Sequence, residues 1–312
     1  METQTLTETT NKLNTTSQQA IHPFLWFNNN AEDAVNFYIS VFGNAAIETI
    51  NRYSEAGANA SGQNPGSVMT IAFQIEGYKM VAINGGPAFT INPSISFFVN
   101  CKSTEEIDSL WSKLADNGTV MMALDKYPFA EKYGWIQDKF GVSWQLIIQN
   151  HEQKITPCFM FSGAQHLKAE EAIKFYTSVF NNSEIIQLER YGSDIGPQGA
   201  VVHCKFTLND QEFVAMDSHE HMPIDFNPGL SFVVNCKDQE EINYYWDKLS
   251  EGGYEGAQMC GWLQDKFGVS WQIVPESLSE IMSNTANAEK AMNAILQMKK
   301  IDIKTIERAI AQ

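Results

Sequence analysis

GWIQDKFGVSWQLI at residues 134–147 returns almost unchanged as GWLQDKFGVSWQIV at residues 261–274, with exchanges only among isoleucine, leucine and valine. Two further pairs of segments repeat in the same order: AEDAVNFYISVF (31–42) with AEEAIKFYTSVF (169–180), and SISFFVNCKSTEEIDSLWSKL (94–114) with LSFVVNCKDQEEINYYWDKL (230–249). Three blocks in one order and at similar spacing indicate an internal duplication. The chain is therefore a tandem repeat of one domain.

The repeats divide the 312 residues into four parts. The first domain is placed at residues 21–150 and the second at 154–276, each within the usual size of a single domain. Residues 1–20 are rich in Thr, Asn and Gln with few apolar side chains, which predicts a disordered tail. Residues 277–312 follow the second domain.

Each domain shows a strand, a helix and three strands, and then the same order again. In the first domain, Ala34, Tyr38 and Val41 have the spacing of a buried helix face. Thr104 is predicted to cap the second helix. Strands are predicted at residues 22–27, 47–53, 67–77, 78–84 and 94–100 and in VMMALD, YGWIQD and VSWQLII. The pattern predicts an α+β fold built from paired βαβββ units.

The motifs P-F-L-W-F, A-E-x-A-x-x-F-Y-x-S-V-F and G-W-[IL]-x-D-K-F-G-V-S-W-Q resemble the PhnB-like branch of the vicinal oxygen chelate superfamily. That branch often carries the label 3-demethylubiquinone-9 3-methyltransferase. The resemblance implies two tandem glyoxalase-like domains, each an incomplete barrel that cups a ligand in its own cleft. It also implies a helical extension at residues 277–312 and an intrachain pseudo-dimer, present as a monomer or a homodimer.

Composition limits the classes of partner. The net charge of −16 argues against nucleic acid, whose phosphates need a basic surface, and no polybasic stretch suggests a membrane surface. The first residues lack the apolar core of a signal peptide, and no apolar run is long enough to cross a bilayer. Five cysteines without a CxxC pair predict free thiols. We therefore expect a cytoplasmic protein whose partner is a small organic molecule.

The superfamily resemblance also supplies candidate metal positions. They fall near His22, Ala82, Ser94 and Gln145 in the first domain and near Thr156, Ala215, Gly229 and Gln272 in the second. Only His22 and Gln145 could bind a metal in the first domain, and only Gln272 in the second. Two neutral ligands do not make a catalytic metal site, so no cofactor is predicted.

Three other groups are candidate reactive sites. Asp217, His219 and His221 would share one face of an extended strand and could bind a metal, although SHEHMP reads more readily as an exposed loop. Cys260 has no activating neighbour in sequence, so a packed thiol is favoured over a nucleophile. His203, in the middle of VVHCKF, is predicted to lie in the core or at the edge of a cleft.

The cleft itself is predicted to be aromatic and neutral. Strand alternation places Trp26 on the face of His22, while the paired Trp144 and Trp271 are predicted to fill the core. The predicted ligand-binding residues are Trp26, Ser96, Trp135, Gln145, Met160, Ser231, Trp262 and Gln272. Such a mixture suits a planar or apolar molecule oriented by a few hydrogen bonds.

The leading hypothesis is a small-molecule-binding protein without a catalytic metal. The alternative is an enzyme of the same fold, of the metal-dependent dioxygenase or lyase type, using His22 or the Asp217–His221 segment. A third is that one or both copies are degenerate and serve assembly. Methyl transfer is not predicted, because the glycine-rich GQNPGS and INGGP connect strands and do not open a cofactor-binding helix.

Overall fold

The computed structural model describes residues 19–192 and 196–312. The tail predicted to be disordered, residues 1–20, lies outside the described residues apart from its last two positions.

The described residues form fifteen strands and eight α-helices, in an order that repeats. The first repeat contains β1 (Ile21–Phe27), α1 (Ala31–Val41), β2 (Ala45–Arg52), α2 (Glu55–Ser61), β3 (Val68–Ile75), β4 (Tyr78–Asn84), β5 (Ile95–Cys101), α3 (Thr104–Leu114), β6 (Thr119–Tyr127), β7 (Ala130–Gln137) and β8 (Ser143–Ile148). The second contains β9 (Ile155–Phe161), α4 (Ala169–Val179), β10 (Ile185–Arg190), β11 (Val201–Leu208), β12 (Gln211–Asp217), β13 (Leu230–Cys236), α5 (Gln239–Ser250), β14 (Trp262–Gln264) and β15 (Ser270–Pro275). Three helices follow: α6 (Leu278–Ser283), α7 (Thr285–Ile295) and α8 (Ile303–Ala311). The predicted α+β fold of two glyoxalase-like repeats is confirmed.

The strands form two sheets, and each sheet combines strands from both repeats. The seven-stranded sheet has the order β14-β15-β13-β1-β4-β3-β2, and the eight-stranded sheet has the order β10-β11-β12-β9-β5-β8-β7-β6. The repeats meet where β1 pairs antiparallel with β13, and where β5 pairs antiparallel with β9. Each sheet therefore joins the first βαβββ unit of one repeat to the second unit of the other. The expectation that each repeat encloses its own cleft is wrong, because both concave faces are shared.

The two repeats differ in their second unit. In the first repeat, β6 and β7 form a long hairpin at the edge of the eight-stranded sheet. The shorter segment of the second repeat forms a 3-10 helix at Glu255–Ala257 and the three-residue strand β14. The unequal length of these segments thus gives the two sheets different walls.

Helix capping departs from the predicted pattern. The Ala31 amide at the start of α1 donates to Oδ1 of Asn84, at the end of β4, at 2.9 Å. The cap of α3 is Ser103, whose Oγ accepts the Glu106 amide at 3.2 Å, and not Thr104, which is the first helical residue. Ser103 precedes the helix with extended backbone, and this geometry lets the hydroxyl reach a free amide.

The sequence DKFG of the repeated motif anchors the core of each repeat. Asp265 accepts hydrogen bonds from the Phe267 and Val269 amides and, at 2.8 Å each, from Trp271 Nε1 and the Tyr176 hydroxyl. Tyr176 lies on α4, which packs on the eight-stranded sheet, whereas Asp265 follows β14 of the other sheet. The bond between them therefore ties together the two units of one repeat.

The tryptophan of the motif is part of this anchor in both repeats. Trp144 and Trp271 are fully buried, as predicted. Asp138 accepts from Trp144 Nε1 and from two amides, in the manner of Asp265. The Tyr38 hydroxyl faces Asp138 without meeting hydrogen-bond geometry and has no partner among the described residues.

Candidate functional site

An open cleft lies on the concave face of the eight-stranded sheet. Its volume is about 790 Å³, and its walls come from the second unit of the first repeat and the first unit of the second repeat. Strand alternation explains the lining: on β9, Thr156, Cys158 and Met160 face the cleft side, while the intervening Phe159 and Phe161 face the main core. A cleft of this size suits a small organic molecule.

A buried hydrogen-bonded group forms part of the cleft floor. Gln145 accepts from the Tyr133 hydroxyl at 2.5 Å and donates from Nε2 to Ser96 Oγ at 2.8 Å. Burial raises the pKa of Tyr133 well above its ordinary value, so the hydroxyl stays protonated and neutral. Trp135 Nε1 donates to Ser143 Oγ at 2.7 Å, which holds the indole against the same floor. These polar groups are satisfied within the protein and hold a rigid, neutral surface.

The rest of the cleft is mainly apolar. Phe98, Met160 and Val214 form a cluster with Tyr133 and Trp135. Four methionines line the space: Met122, Met160, Met216 and Met222. Methionine side chains are flexible and polarisable, so such a wall can adapt to ligands of different shape.

The β6–β7 hairpin contributes an aromatic edge to the cleft. Tyr127 stacks on Phe129 with ring centroids 5.6 Å apart, and Phe129 meets the edge of Tyr133 at 5.2 Å. Phe129 lines the cleft but is 64% exposed. A large exposed aromatic ring at the opening of an apolar cleft offers surface that a ligand could cover.

Ionisable side chains enter the cleft from the second repeat and from the segment that precedes it. His151 Nε2 lies 3.1 Å from Glu212 Oε2, and His151 Nδ1 accepts the Gln153 amide. His203 and Lys205 project from β11 on the same face. Burial lowers the pKa of His203, and this effect outweighs the opposing attraction of Glu189; Lys205 lowers the pKa slightly further, so the neutral imidazole is favoured.

The concave face of the seven-stranded sheet is covered by the C-terminal helices. Leu278 of α6 packs on Phe24, Val233 and Val274. Met282 of α6 and Met292 of α7 extend this cover over the cluster of Tyr53, Ala58 and Met69. The helices α6 and α7 thus occupy the face of the seven-stranded sheet that corresponds to the open cleft.

The eight predicted ligand-binding residues divide equally between the two faces. Ser96, Trp135, Gln145 and Met160 border the open cleft. Trp26, Ser231, Trp262 and Gln272 belong to the covered face, where Gln272 Nε2 donates to Ser231 Oγ at 3.1 Å.

The two tryptophans of the covered face pack against protein. Trp26 Nε1 donates to the Gly86 carbonyl at 2.8 Å, and its ring lies over Gly85, where a Cβ atom would clash with the indole. Trp262 meets the edges of Phe24 and Trp26 at 5.6 and 6.2 Å.

The candidate metal ligands do not converge. His22 lies in the seven-stranded sheet and Gln145 in the eight-stranded sheet, so the two cannot share one ion. Within residues 19–192 and 196–312, no three His, Cys, Asp or Glu side chains are close enough to hold a metal ion.

The Asp217 segment is not an extended row of ligands. The strand β12 ends at Asp217, whose carboxylate accepts the Ala169 amide at 3.0 Å and the Val201 amide at 2.9 Å. His219 is exposed on the following loop, and His221 packs edge-on against His166. Asp217 therefore has a structural role at the start of α4, matching that of Asn84 at α1.

The candidate nucleophile is a packed thiol. Cys260 is half-buried against the core, its amide donates to the Met298 carbonyl, and burial raises the pKa of its thiol. Cys101 and Cys236 are buried at the ends of β5 and β13. A thiol with a raised pKa is a poor nucleophile near neutral pH.

His22 predicts a specific pH dependence of stability. Burial first, and Lys79 second, lower the pKa of His22 to about 4. In the unfolded chain the imidazole takes up a proton below about pH 6.5, so folding becomes less favourable as the pH falls from there towards 4. Between pH 7 and pH 4.5, the free energy of unfolding should fall by about 2 kcal/mol less in His22→Gln than in the wild type. Urea unfolding at the two pH values gives the measurement.

The control for this measurement is His219→Gln, which replaces an exposed loop histidine. It should follow the wild-type profile. If His22→Gln and the wild type showed the same pH dependence of stability, His22 would not be its source.

The comparisons with known proteins agree with this architecture. The family described as 3-demethylubiquinone-9 3-methyltransferase matches residues 19–147 and again residues 153–274. The chain belongs to this family. The PhnB protein from Bacillus cereus is 41% identical, over 42% of this chain and 100% of its own, with a TM-score of 0.39. A comparison with curated proteins found no match.

Glyoxalase I from Zea mays shows how far the fold extends beyond this family. It aligns with 83% of this chain and 93% of its own, with a TM-score of 0.52 at 11% identity. At that identity the likeness concerns the vicinal oxygen chelate fold alone. The match to the family in two successive segments confirms the tandem duplication.

Among the described residues, no helix is both long and apolar enough to cross a membrane.

Sequence reasoning missed part of the open cleft. It placed His203 at the core or a cleft edge but did not consider Lys205, His151 or Glu212, which all line the cleft. Alternation along VVHCKFTL was the available signal, because Cys204 and Phe206 face the core and place His203 and Lys205 on the other side.

Proposed function

We propose that this member of the PhnB-like family binds one small, largely apolar organic molecule in the cleft of the eight-stranded sheet. The observation that carries the proposal is the open cleft of about 790 Å³, walled by aromatic and methionine side chains. Its counterpart on the other sheet is covered by α6 and α7. One site per chain follows from this asymmetry.

The proposal is for binding without a catalytic metal. The candidate ligands His22 and Gln145 lie in different sheets, and the Asp217 carboxylate is engaged by two backbone amides. The alternative of a metal-dependent enzyme needs ligands that converge on one point. The sites suggested for it do not support that alternative.

The proposed functional unit is a single chain. Both sheets are completed within the chain, through the pairing of β1 with β13 and of β5 with β9. The open cleft therefore needs no second copy to supply a wall.

The neutral dye Nile red tests the binding site directly. Its fluorescence should rise on binding, with a stoichiometry of one dye per chain. Met216→Trp should weaken binding about tenfold or more, because Met216 lines the cleft and a larger side chain would occupy ligand space. The measurement is a fluorescence titration of the full chain.

The matched control is Met259→Trp, which makes the same exchange at a methionine that is 59% exposed outside the cleft. This variant should bind the dye like the wild type. A dye affinity that is the same in Met216→Trp and the wild type would reject the cleft as the site.

A further inference from the structure

Lys205 is the one lysine or arginine among the described residues that line the open cleft. It lies on β11, with Gln187 of β10 and Val214 of β12 as its cross-strand neighbours. Val214 belongs to the apolar cluster of the cleft. Lys205 therefore lies next to the apolar surface of the cleft.

The other charged groups of the cleft are engaged or lie at its rim. Glu212 pairs with His151, and both carboxylate oxygens of Asp217 accept backbone amides. Glu189 accepts the Gln187 side-chain amide and is exposed, and Glu220 is exposed on a loop. Within the described part of the chain, Lys205 has no carboxylate within 4.0 Å and donates no side-chain hydrogen bond.

The seven-stranded sheet shows what the same position holds on a face that α6 and α7 cover. Cys204 lies opposite Ala215 on β12, as Ile71 lies opposite Ala82 on β4, so Lys205 corresponds to Ala72 and His203 to Thr70. The covered face therefore has a methyl group and a hydroxyl at these positions. The cation and the imidazole are specific to the open cleft.

A cation that lies beside an apolar surface, with no carboxylate partner among residues 19–192 and 196–312, favours a ligand that supplies its counter-charge. A charge-assisted hydrogen bond is stronger than one between neutral groups, and its strength increases where water is partly excluded. His203, two residues away on the same face, adds a polar ring that could contact the same group.

We propose that the ligand is an organic acid: an apolar body held by Phe98, Met160 and Val214, with an anionic group bound by Lys205. This inference rests on the proposed function and adds the chemical class of its ligand.

Two probes with the same ring system test the inference: naphthalene carboxylate and the neutral naphthalenemethanol. Isothermal titration calorimetry with the full chain should show the carboxylate binding about tenfold more tightly. Lys205→Met should remove this preference while changing the affinity for the alcohol by no more than about twofold. Lys205→Arg, which retains the charge, should preserve most of it.

The control variant is Lys174→Met, which removes an exposed surface lysine on α4 and should leave both affinities unchanged. If the wild type binds Nile red but shows no preference for the carboxylate, the acid inference is overturned and the proposed function stands. If Lys205→Met still prefers the carboxylate to the alcohol, Lys205 is not the group that binds the anion, and the inference is overturned as well. Failure of the wild type to bind Nile red overturns both.

Discussion

Asp265→Ala should lower the free energy of unfolding by about 4 kcal/mol at pH 8. The substitution leaves four buried donors without their acceptor, among them Trp271 Nε1 and the Tyr176 hydroxyl. Burial raises the pKa of Asp265 to about 6 although the four donors favour the charged form, so the carboxylate is ionised at pH 8. Urea denaturation followed by tryptophan fluorescence gives the measurement.

The two repeats supply an internal control for this anchor. Tyr176→Phe removes the hydroxyl that donates to Asp265 and should cost about 1 kcal/mol. Tyr38→Phe makes the same exchange in the first repeat, where the hydroxyl faces Asp138 outside hydrogen-bond geometry, and should cost less than Tyr176→Phe. If both variants lost the same free energy of unfolding, the hydrogen bond between Tyr176 and Asp265 would not stabilise the second repeat.

Ala291→Asp should open the second concave face. Ala291 is fully buried in α7, and an unpaired carboxylate there should destabilise the docked helices by about 3 kcal/mol or more. Loss of α6 and α7 from the sheet would expose the apolar face around Phe24 and Val274. We therefore expect the Nile red stoichiometry to rise from one to two dyes per chain, with the strand signal retained in circular dichroism.

The matched control is Ala286→Asp, which makes the same exchange at an exposed alanine in the first turn of α7. It should keep one dye per chain and wild-type stability. A stoichiometry of one for Ala291→Asp, in a chain shown to be folded, would mean that the seven-stranded sheet offers no second site even when uncovered.

The split of the predicted site between two sheets follows from strand pairing. Alternation along HPFLWF correctly places His22, Phe24 and Trp26 on one face, because side chains in a strand point alternately to opposite sides. The same local pattern carries no information on which strand lies beside β1. The neighbour is β13 of the other repeat, more than 200 positions away, so Gln272 and not Gln145 shares a sheet with His22.

The cover over the seven-stranded sheet was also beyond local patterns. The sequence of residues 277–312 resembles a helical extension, but an amphipathic helix does not specify the surface on which it packs. Leu278 packs on the cluster that contains Phe24, and Met282 packs on the cluster that contains Tyr53. These contacts leave one cleft open and the other covered.

The duplication, the βαβββ order of three of the four units, the family and the burial of Trp144 and Trp271 could be inferred from the chain alone, since each depends on short segments and their repetition. The fourth unit has two strands after its helix where three were predicted. Which units share a sheet, which cleft stays open and which charges face it depend on contacts between distant segments. Such contacts form because both repeats and the C-terminal helices together bury their apolar surfaces. No single stretch of sequence shows how these surfaces combine.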